Sequence, residues 1–400
     1  MISLKRTMFF TCMLFAGYTM QAQEMMETGG QKMPDEWIDK DTRHKVKHVV
    51  PGGGKHASFY FHNNPFVGNE MVYYGDDAKG HRQLFSVSLD TRKVTQLTDR
   101  RTPIRGEIVS AKLRTVFYQC HDSVFATSLD TRKERLVFVF PEGFKGDITT
   151  VNADGSLLAG AWATDAEKEI SRRNPEKHDF FNKIFEARLP RTLFTIDVRK
   201  GTLQKIFTDS AWLNHVQFSS TDPSLLMFCH EGQWHKVDRI WTINVQHKKV
   251  KLIHKRTMDM EIAGHEWFSP DGRIIWYDLQ LPRGQTFFVG GTDVTTGKEK
   301  KYELQRNEWS VHYNISPDQK IFAGDGGGPG SVAKAPDGQW INLFIPDGDH
   351  FKFEKLVNMK HHHYKLEPNV HFSPDGKWII FRANFEGYED IYAVAIDSKK

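Results

Sequence analysis

One short string recurs along this chain, and its recurrence limits the fold more than any other feature. Trp267-Phe-Ser-Pro-Asp-Gly272, Asn314-Ile-Ser-Pro-Asp-Gln319 and His371-Phe-Ser-Pro-Asp-Gly376 are close copies, Gln217-Phe-Ser-Ser-Thr-Asp-Pro223 carries one extra residue, and Thr150-Val-Asn-Ala-Asp-Gly155 is a degenerate relative. Each sets an apolar residue before a turn of Pro, Asp and Gly and a second apolar run after it, such as Ile274-Ile-Trp276 or Trp378-Ile-Ile-Phe381. That is the pattern of a β-hairpin. A second alternating pair follows, as in Leu84 to Leu97 with a turn at Asp90-Thr91. Hairpin plus hairpin makes a four-stranded unit of about 40–50 residues, the period of a propeller blade.

Units counted this way fall near residues 60–98, 107–138, 148–208, 215–254, 265–304, 312–357 and 369–396. The expected fold is all-β, a seven-bladed β-propeller. The last unit is one strand short, and Lys45-Val-Lys-His-Val-Val50 reads as an outer strand with no hairpin of its own. Pairing the two closes the ring and removes an open sheet edge. A charged stretch at about 165–191 interrupts the third unit and is expected to be partly helical, a surface excursion or a lid over one mouth.

Composition bears on partners more than on fold. The net charge of +4 has no Lys/Arg block behind it, so a small acidic ligand fits better than nucleic acid. No membrane or protein partner is implied. Lys5 and Arg6 precede an apolar run from Met8 to Ala16, too short to span a bilayer, and a cut is expected after Ala22. Residues 1–22 thus read as a secretion signal, and 23–400 as one exported domain, periplasmic or secreted. Cys120 and Cys229 fall in different blades and read as two separate buried thiols.

Innermost strands of a propeller surround a central channel. Three places before the apolar residue of the turn motif, successive blades carry His215, His265, His312 and Asn369. Strand alternation puts that register opposite the buried aromatic. A single histidine there could simply bond a neighbouring blade; polar residues in four consecutive blades point to a site. Near them in sequence lie His230, His235, Arg239, Glu367 and the loop His361-His-His363.

Longer strings carry a family resemblance. Cys229-His-Glu-Gly-Gln-Trp-His-Lys-Val-Asp-Arg-Ile-Trp241, Gly264-His-Glu-Trp-Phe268, His312-Tyr-Asn-Ile-Ser-Pro-Asp318 and Glu367-Pro-Asn-Val-His-Phe-Ser-Pro-Asp-Gly376 resemble the oligogalacturonide lyases of polysaccharide lyase family twenty-two. The resemblance implies a seven-bladed propeller that holds manganese near its channel and cleaves short galacturonides to ketouronates. It implies that His265 is the proton-abstracting base and Arg239 the catalytic arginine. His312 would bind the metal, with Glu367, Asn369 and His363 completing the shell. Family members carry histidines where Glu367 and Asn369 stand. The shell here is therefore richer in oxygen, which suits manganese, calcium or magnesium.

The implied chemistry is β-elimination at a uronate. Its C5 proton is weakly acidic because the adjacent carboxylate is already an anion; a metal on that carboxylate offsets the charge. A neutral His265 would take the proton and Arg239 would clamp the carboxylate, with His215, His230 and His235 as substrate contacts. The alternative is a non-catalytic periplasmic propeller that binds a protein or glycan, since the fold alone selects no function.

Overall fold

The Ser-Pro-Asp-Gly strings close through bonds made within the turn itself. In the computed structural model, which describes residues 24–397, Ser269 Oγ donates to Asp271 (2.6 Å) and accepts from Ile274 N (3.0 Å). Ser373 does the same with Asp375 (2.6 Å) and Trp378 N (3.0 Å). The residue after the aspartate is left-handed: Gly272 at φ 70°, Gly376 at 69° and Gln319 at 60°. Glycine is required at 272, where a Cβ would lie 2.3 Å from Thr221 Oγ1. The expected secretion signal lies outside the described residues.

Among the described residues these hairpins build seven sheets, antiparallel except where Met25–Met26 runs parallel to Glu36–Asp39. Five are plain four-stranded blades; the blade of Ile262–Phe268, Ile274–Gln280, Phe287–Asp293 and Glu299–Leu304 is typical. The seventh is built from both ends of the chain. Lys45–His48 pairs antiparallel with Asp390–Ala395, beside Trp378–Ala383 and His371–Phe372, and so closes the ring. Glu36–Asp39 and Met25–Met26 extend the sheet outward. The seam is locked by a buried carboxylate: Asp390 accepts from His48 Nδ1 (2.8 Å) and from His56 Nδ1 (2.7 Å).

Apolar side chains fill the space between blades. Ile108, Phe117 and Val124 of the second blade meet Leu158, Phe194 and Ile196 of the third. Each such side chain contributes about 1.5–3 kcal/mol on burial, so neighbouring blades hold one another. Cys120 and Cys229 are buried and unpaired, as expected. Among the described residues, no helix is long and apolar enough to cross a membrane.

Two departures shape the site. The inner strand of the first blade is broken. His56–Ala57 pairs with Glu70–Asp76, and the intervening segment around Tyr60 and Phe61 leaves the sheet. Aromatic rings that would crowd a narrow inner strand instead pack on rings of other blades, Phe61 stacking on His312 (centroids 4.6 Å) and meeting Trp267 edge to face (6.0 Å). The insertion in the third blade forms two helices, Asp165–Arg173 and Lys177–Ala187. Thr164 caps the first, and Arg191 holds its buried Glu167 with Nε 3.0 Å from each oxygen. Ile184, Phe185 and Trp212 pack together, and Phe185 covers Gly232, where a Cβ would lie 2.2 Å from the ring.

Candidate functional site

The register His215, His265, Asn369 is marked in the backbone. All three are left-handed, at φ 46°, 49° and 53°. Strand pairing slips around the two histidines, between Asn214 and Gln217 and between Gly264 and Trp267. These are β-bulges, which re-aim a side chain and break strand alternation. The column is therefore set by bulges rather than by the simple alternation expected from sequence. A non-glycine residue pays about 1–2 kcal/mol for this conformation, and such strain gathers at functional sites.

The bulges bring rings from several blades together. His265 and His312 have centroids 4.9 Å apart. Tyr60 lies 5.1 Å from His312, 5.0 Å from His62 and 6.4 Å from His215. His62 is pushed well below its ordinary pKa by burial and by His215 and His312.

His312 is oriented as a metal-binding histidine is. Its Nδ1 lies 2.9 Å from Asp325 Oδ2, and Asp325 also accepts the backbone N–H of His312 (2.8 Å) and of Asn369 (3.2 Å). A carboxylate behind one ring nitrogen fixes the tautomer and leaves the other nitrogen as a ligand. That Nε2 lies 3.2 Å from Tyr60 Oη and 3.8 Å from Glu367 Oε2. The nitrogen and the carboxylate oxygen are close enough for one divalent cation to bond both, and they suit a hard or borderline ion. Asn369 is used differently. Its Oδ1 accepts from Phe61 N (3.1 Å) and its Nδ2 donates to Glu367 O (2.9 Å), so the amide anchors the loop that enters the channel. His363 is exposed, and its Nδ1 accepts the Lys365 N–H (3.2 Å). Among the described residues it makes no ring contact with the cluster.

A second group of donor atoms, from His215, Cys229 and Glu231, lies within 4.8 Å of one another. Burial raises the Cys229 thiol well above its ordinary pKa. Glu231 is already gripped by Arg239 Nη1 (2.7 Å), Trp234 Nε1 (2.8 Å) and His215 Nε2 (3.2 Å). Burial opposes its ionisation, but Arg239 and His215 override that and hold it well below the usual carboxylate range. With a guanidinium in contact, this group works as a charge hub more readily than as a cation site.

Arg239 is 2 % exposed. Its Nε donates to Glu266 Oε2 (3.0 Å), while Trp234 lies across its face (4.7 Å). The guanidinium is held between two carboxylates, so a direct clamp on a substrate carboxylate is not available to it in this arrangement. His265 is the opposite case. Its Nδ1 is buried and, among the described residues, has no hydrogen-bond partner; Asp278 Oδ2 faces it at 4.0 Å. Burial, then His312 and Arg239, hold His265 well below its ordinary pKa, so it is neutral. Asp278 is positioned by Trp309 Nε1 (3.1 Å) and Gln280 Nε2 (3.0 Å), and burial raises it to about 7.

His265 and Asp278 line a cavity of ≈ 580 Å³, walled by Trp234, Trp309 and Phe181 of the helical insertion. His235 reaches the same cavity. His230 does not: it alternates with Cys229 on its strand and stacks on Trp241 (4.7 Å, 23°). Sequence reasoning left Asp278, Asp325, Glu231, Glu266 and Tyr60 without roles. Glu231 and Glu266 each follow a histidine in the strings quoted above, Cys229-His-Glu-Gly232 and Gly264-His-Glu-Trp267. Asp325 is a lone acid in the glycine run Gly324-Asp-Gly-Gly-Gly328. Both were usable signals. Asp278 sits in an apolar second strand and carries none.

Comparison with known proteins identifies the family. A family model described as oligogalacturonate lyase matches residues 35–399. The oligogalacturonate lyase of Dickeya dadantii is 23% identical over 353 residues, 84% of this chain and 89% of that protein. The oligogalacturonide lyase of Pectobacterium atrosepticum is 22% identical over 356 residues, 85% and 90%. An oligogalacturonate lyase solved in complex with manganese superposes with a TM-score of 0.78 at 21% identity, over 93% of this chain and 99% of that one. The oligogalacturonate lyase of Vibrio parahaemolyticus gives 0.77 at 22% identity, over 94% and 100%. With the family model spanning nearly the whole propeller, this chain belongs to the oligogalacturonate lyase family.

Proposed function

We propose that the chain cleaves short galacturonides by β-elimination at the His265 cavity, yielding ketouronate products. It is a carbon–oxygen lyase of pectin degradation. The observation that carries the mechanism is a neutral histidine with no partner on its buried Nδ1, which lines a cavity beside the oriented His312 and its neighbour Glu367. With its proton on Nδ1, towards Asp278, His265 offers Nε2 as the free base. It takes the C5 proton, the released electron pair forms the C4–C5 double bond, and the C4–O bond breaks, its electron pair leaving on the oxygen, which takes a proton from water.

His312 and Glu367 would hold a divalent cation, with Asp325 fixing the His312 ring. Manganese is the assigned ion, supported by the homologue solved with it and by the mixed N/O donor pair. When bound, the ion offsets the charge of the substrate carboxylate and so acidifies C5. Asp278 stabilises the imidazolium as it forms. Arg239 acts from behind: it fixes Glu231 and Glu266 and keeps positive charge near His265. Trp234 and Trp309 wall the cavity in which the sugar would lie. The enzyme acts after export, its mature chain starting at Gln23.

The test is His265→Ala on digalacturonate, read by absorbance of the unsaturated uronate or by a ketouronate colour reaction. Turnover should fall by roughly two to four orders of magnitude with substrate binding kept. Near-normal turnover would remove His265 as the base. Full activity of wild-type protein stripped by chelator would remove the metal.

A further inference from the structure

We infer that Arg283 sets specificity by binding the carboxylate of the uronate next to the one cleaved, so that the enzyme requires a free acid on that neighbour. This rests on the reading of the His265 cavity as the place of elimination. Arg283 stands at the edge of that cavity, in the turn that follows the strand carrying Asp278 and Gln280. Its backbone is anchored from three sides. Arg283 N donates to Met260 O (2.8 Å), Gly284 N to Gln280 Oε1 (2.9 Å), and Arg306 Nη2 to Gly284 O (3.1 Å). The guanidinium, by contrast, is exposed and makes no side-chain hydrogen bond or ion pair among the described residues. A fixed turn that presents an unpaired cation to a cavity is suited to catching an anion.

Among the described residues that line the cavity, Arg283 is the only arginine or lysine. Asp278 is its one carboxylate, deep beside His265, with both oxygens engaged by Trp309 and Gln280. Nearby Arg256 is occupied by Asp238 (3.5 Å), while Asp259 acts on His235 from outside. The tryptophan walls cannot tell an acid from its ester, because they meet only the sugar face. Their indoles are fixed by Nε1 bonds, Trp234 to Glu231 (2.8 Å) and Trp309 to Asp278 (3.1 Å), so these walls hold their place when a chain enters. One uronate at His265 then leaves the next extending towards the rim. A planar guanidinium pairs with a carboxylate through two parallel bonds and has no such interaction with a methyl ester.

The experiment compares digalacturonate with its monomethyl ester, esterified on the residue that does not undergo elimination. Wild-type kcat/KM should fall at least about tenfold on the ester, through KM, the usual worth of one charged hydrogen-bonded contact. Arg283→Gln should raise KM on the diacid by a similar factor with kcat within about twofold, and should no longer discriminate against the ester. Arg283→Lys should recover part of the loss. A glutamine variant that keeps its KM, or still rejects the ester, overturns the assignment. Wild-type protein that cleaves neither substrate would overturn the elimination reading instead. Calorimetric binding of digalacturonate to wild type and Arg283→Gln would then decide Arg283 alone, equal affinities counting against it.

Discussion

Replacing Asp278 by asparagine should slow the enzyme while steadying its fold, a combination that ordinary damage does not produce. When His265 takes the proton, an imidazolium forms 4.0 Å from the Asp278 carboxylate. At that distance, an effective dielectric constant of about 20 gives about 4 kcal/mol of attraction. The carboxyl is raised to about 7 by burial and is only partly ionised near neutrality. The usable part is therefore about 2–3 kcal/mol, or roughly 30–150-fold in kcat. The sign for stability is opposite. Between about pH 4 and 7 the folded protein keeps a proton that the unfolded chain releases, so stability falls as pH rises through that window, by about 4 kcal/mol in all. Asparagine cannot ionise and can still accept from Trp309 or Gln280 through its one carbonyl oxygen. Steady-state rates on digalacturonate from pH 5 to 9, with thermal melts over the same range, test both halves. The wild-type rate should rise through about pH 7 as Asp278 ionises, and the variant should lose that limb and the pH dependence of its melting point. Unchanged kcat would refute the role given to Asp278. A variant less stable than wild type at pH 7 would refute the electrostatic account.

Arg239→Gln should destabilise the protein by about 3–5 kcal/mol, because Glu231 and Glu266 lose the cation that holds them together; chemical denaturation measures this, and a change below about 1 kcal/mol would contradict the charge hub. His312→Ala should abolish tight manganese binding while leaving the melting temperature nearly unchanged, read by elemental analysis of dialysed protein; undiminished metal would exclude His312 as a principal ligand. Gln319→Gly should stabilise by up to about 1 kcal/mol, since Gln319 alone among the three Ser-Pro-Asp turns puts a side chain at positive φ.

Much of the architecture was legible because its signals are local. A Ser-Pro-Asp-Gly turn makes its own hydrogen bonds, so each copy announces a hairpin wherever the chain goes. The ring closure followed from a missing strand at one end and a spare strand, Lys45–His48, at the other. The site was legible only where function had fixed a repeat position: His215, His265 and His312 share a register, and that register was visible. Partners that arrive from elsewhere were not. Asp325 is written thirteen residues after His312, and no periodicity links them. The segment around Tyr60 and Phe61 reads as an inner strand of the first blade, because nothing local says that its rings will be drawn to His312 and Trp267. His363 and His230 show the converse error. Proximity in sequence to a site residue carries no information about direction, and alternation on its strand turns His230 away.

The bulged register explains why the site can be both deep and reactive. A regular inner strand would aim these residues either into the tightly packed space between blades or straight at the channel axis. The left-handed residue at 215 and 265 breaks that choice and lets each ring meet those of neighbouring blades. The conformation itself is unfavourable, so something must hold it. At Asn369 it is held by the amide, which binds the backbone of Phe61 and Glu367. At His215 it is held by the contact with Glu231, and so indirectly by Arg239. At His265, among the described residues, no hydrogen bond to Nδ1 holds it, and the neighbouring Glu266 supplies the tether by gripping Arg239. The same guanidinium thus fixes the backbone on either side of the base, while the base itself stays unbonded and available to substrate.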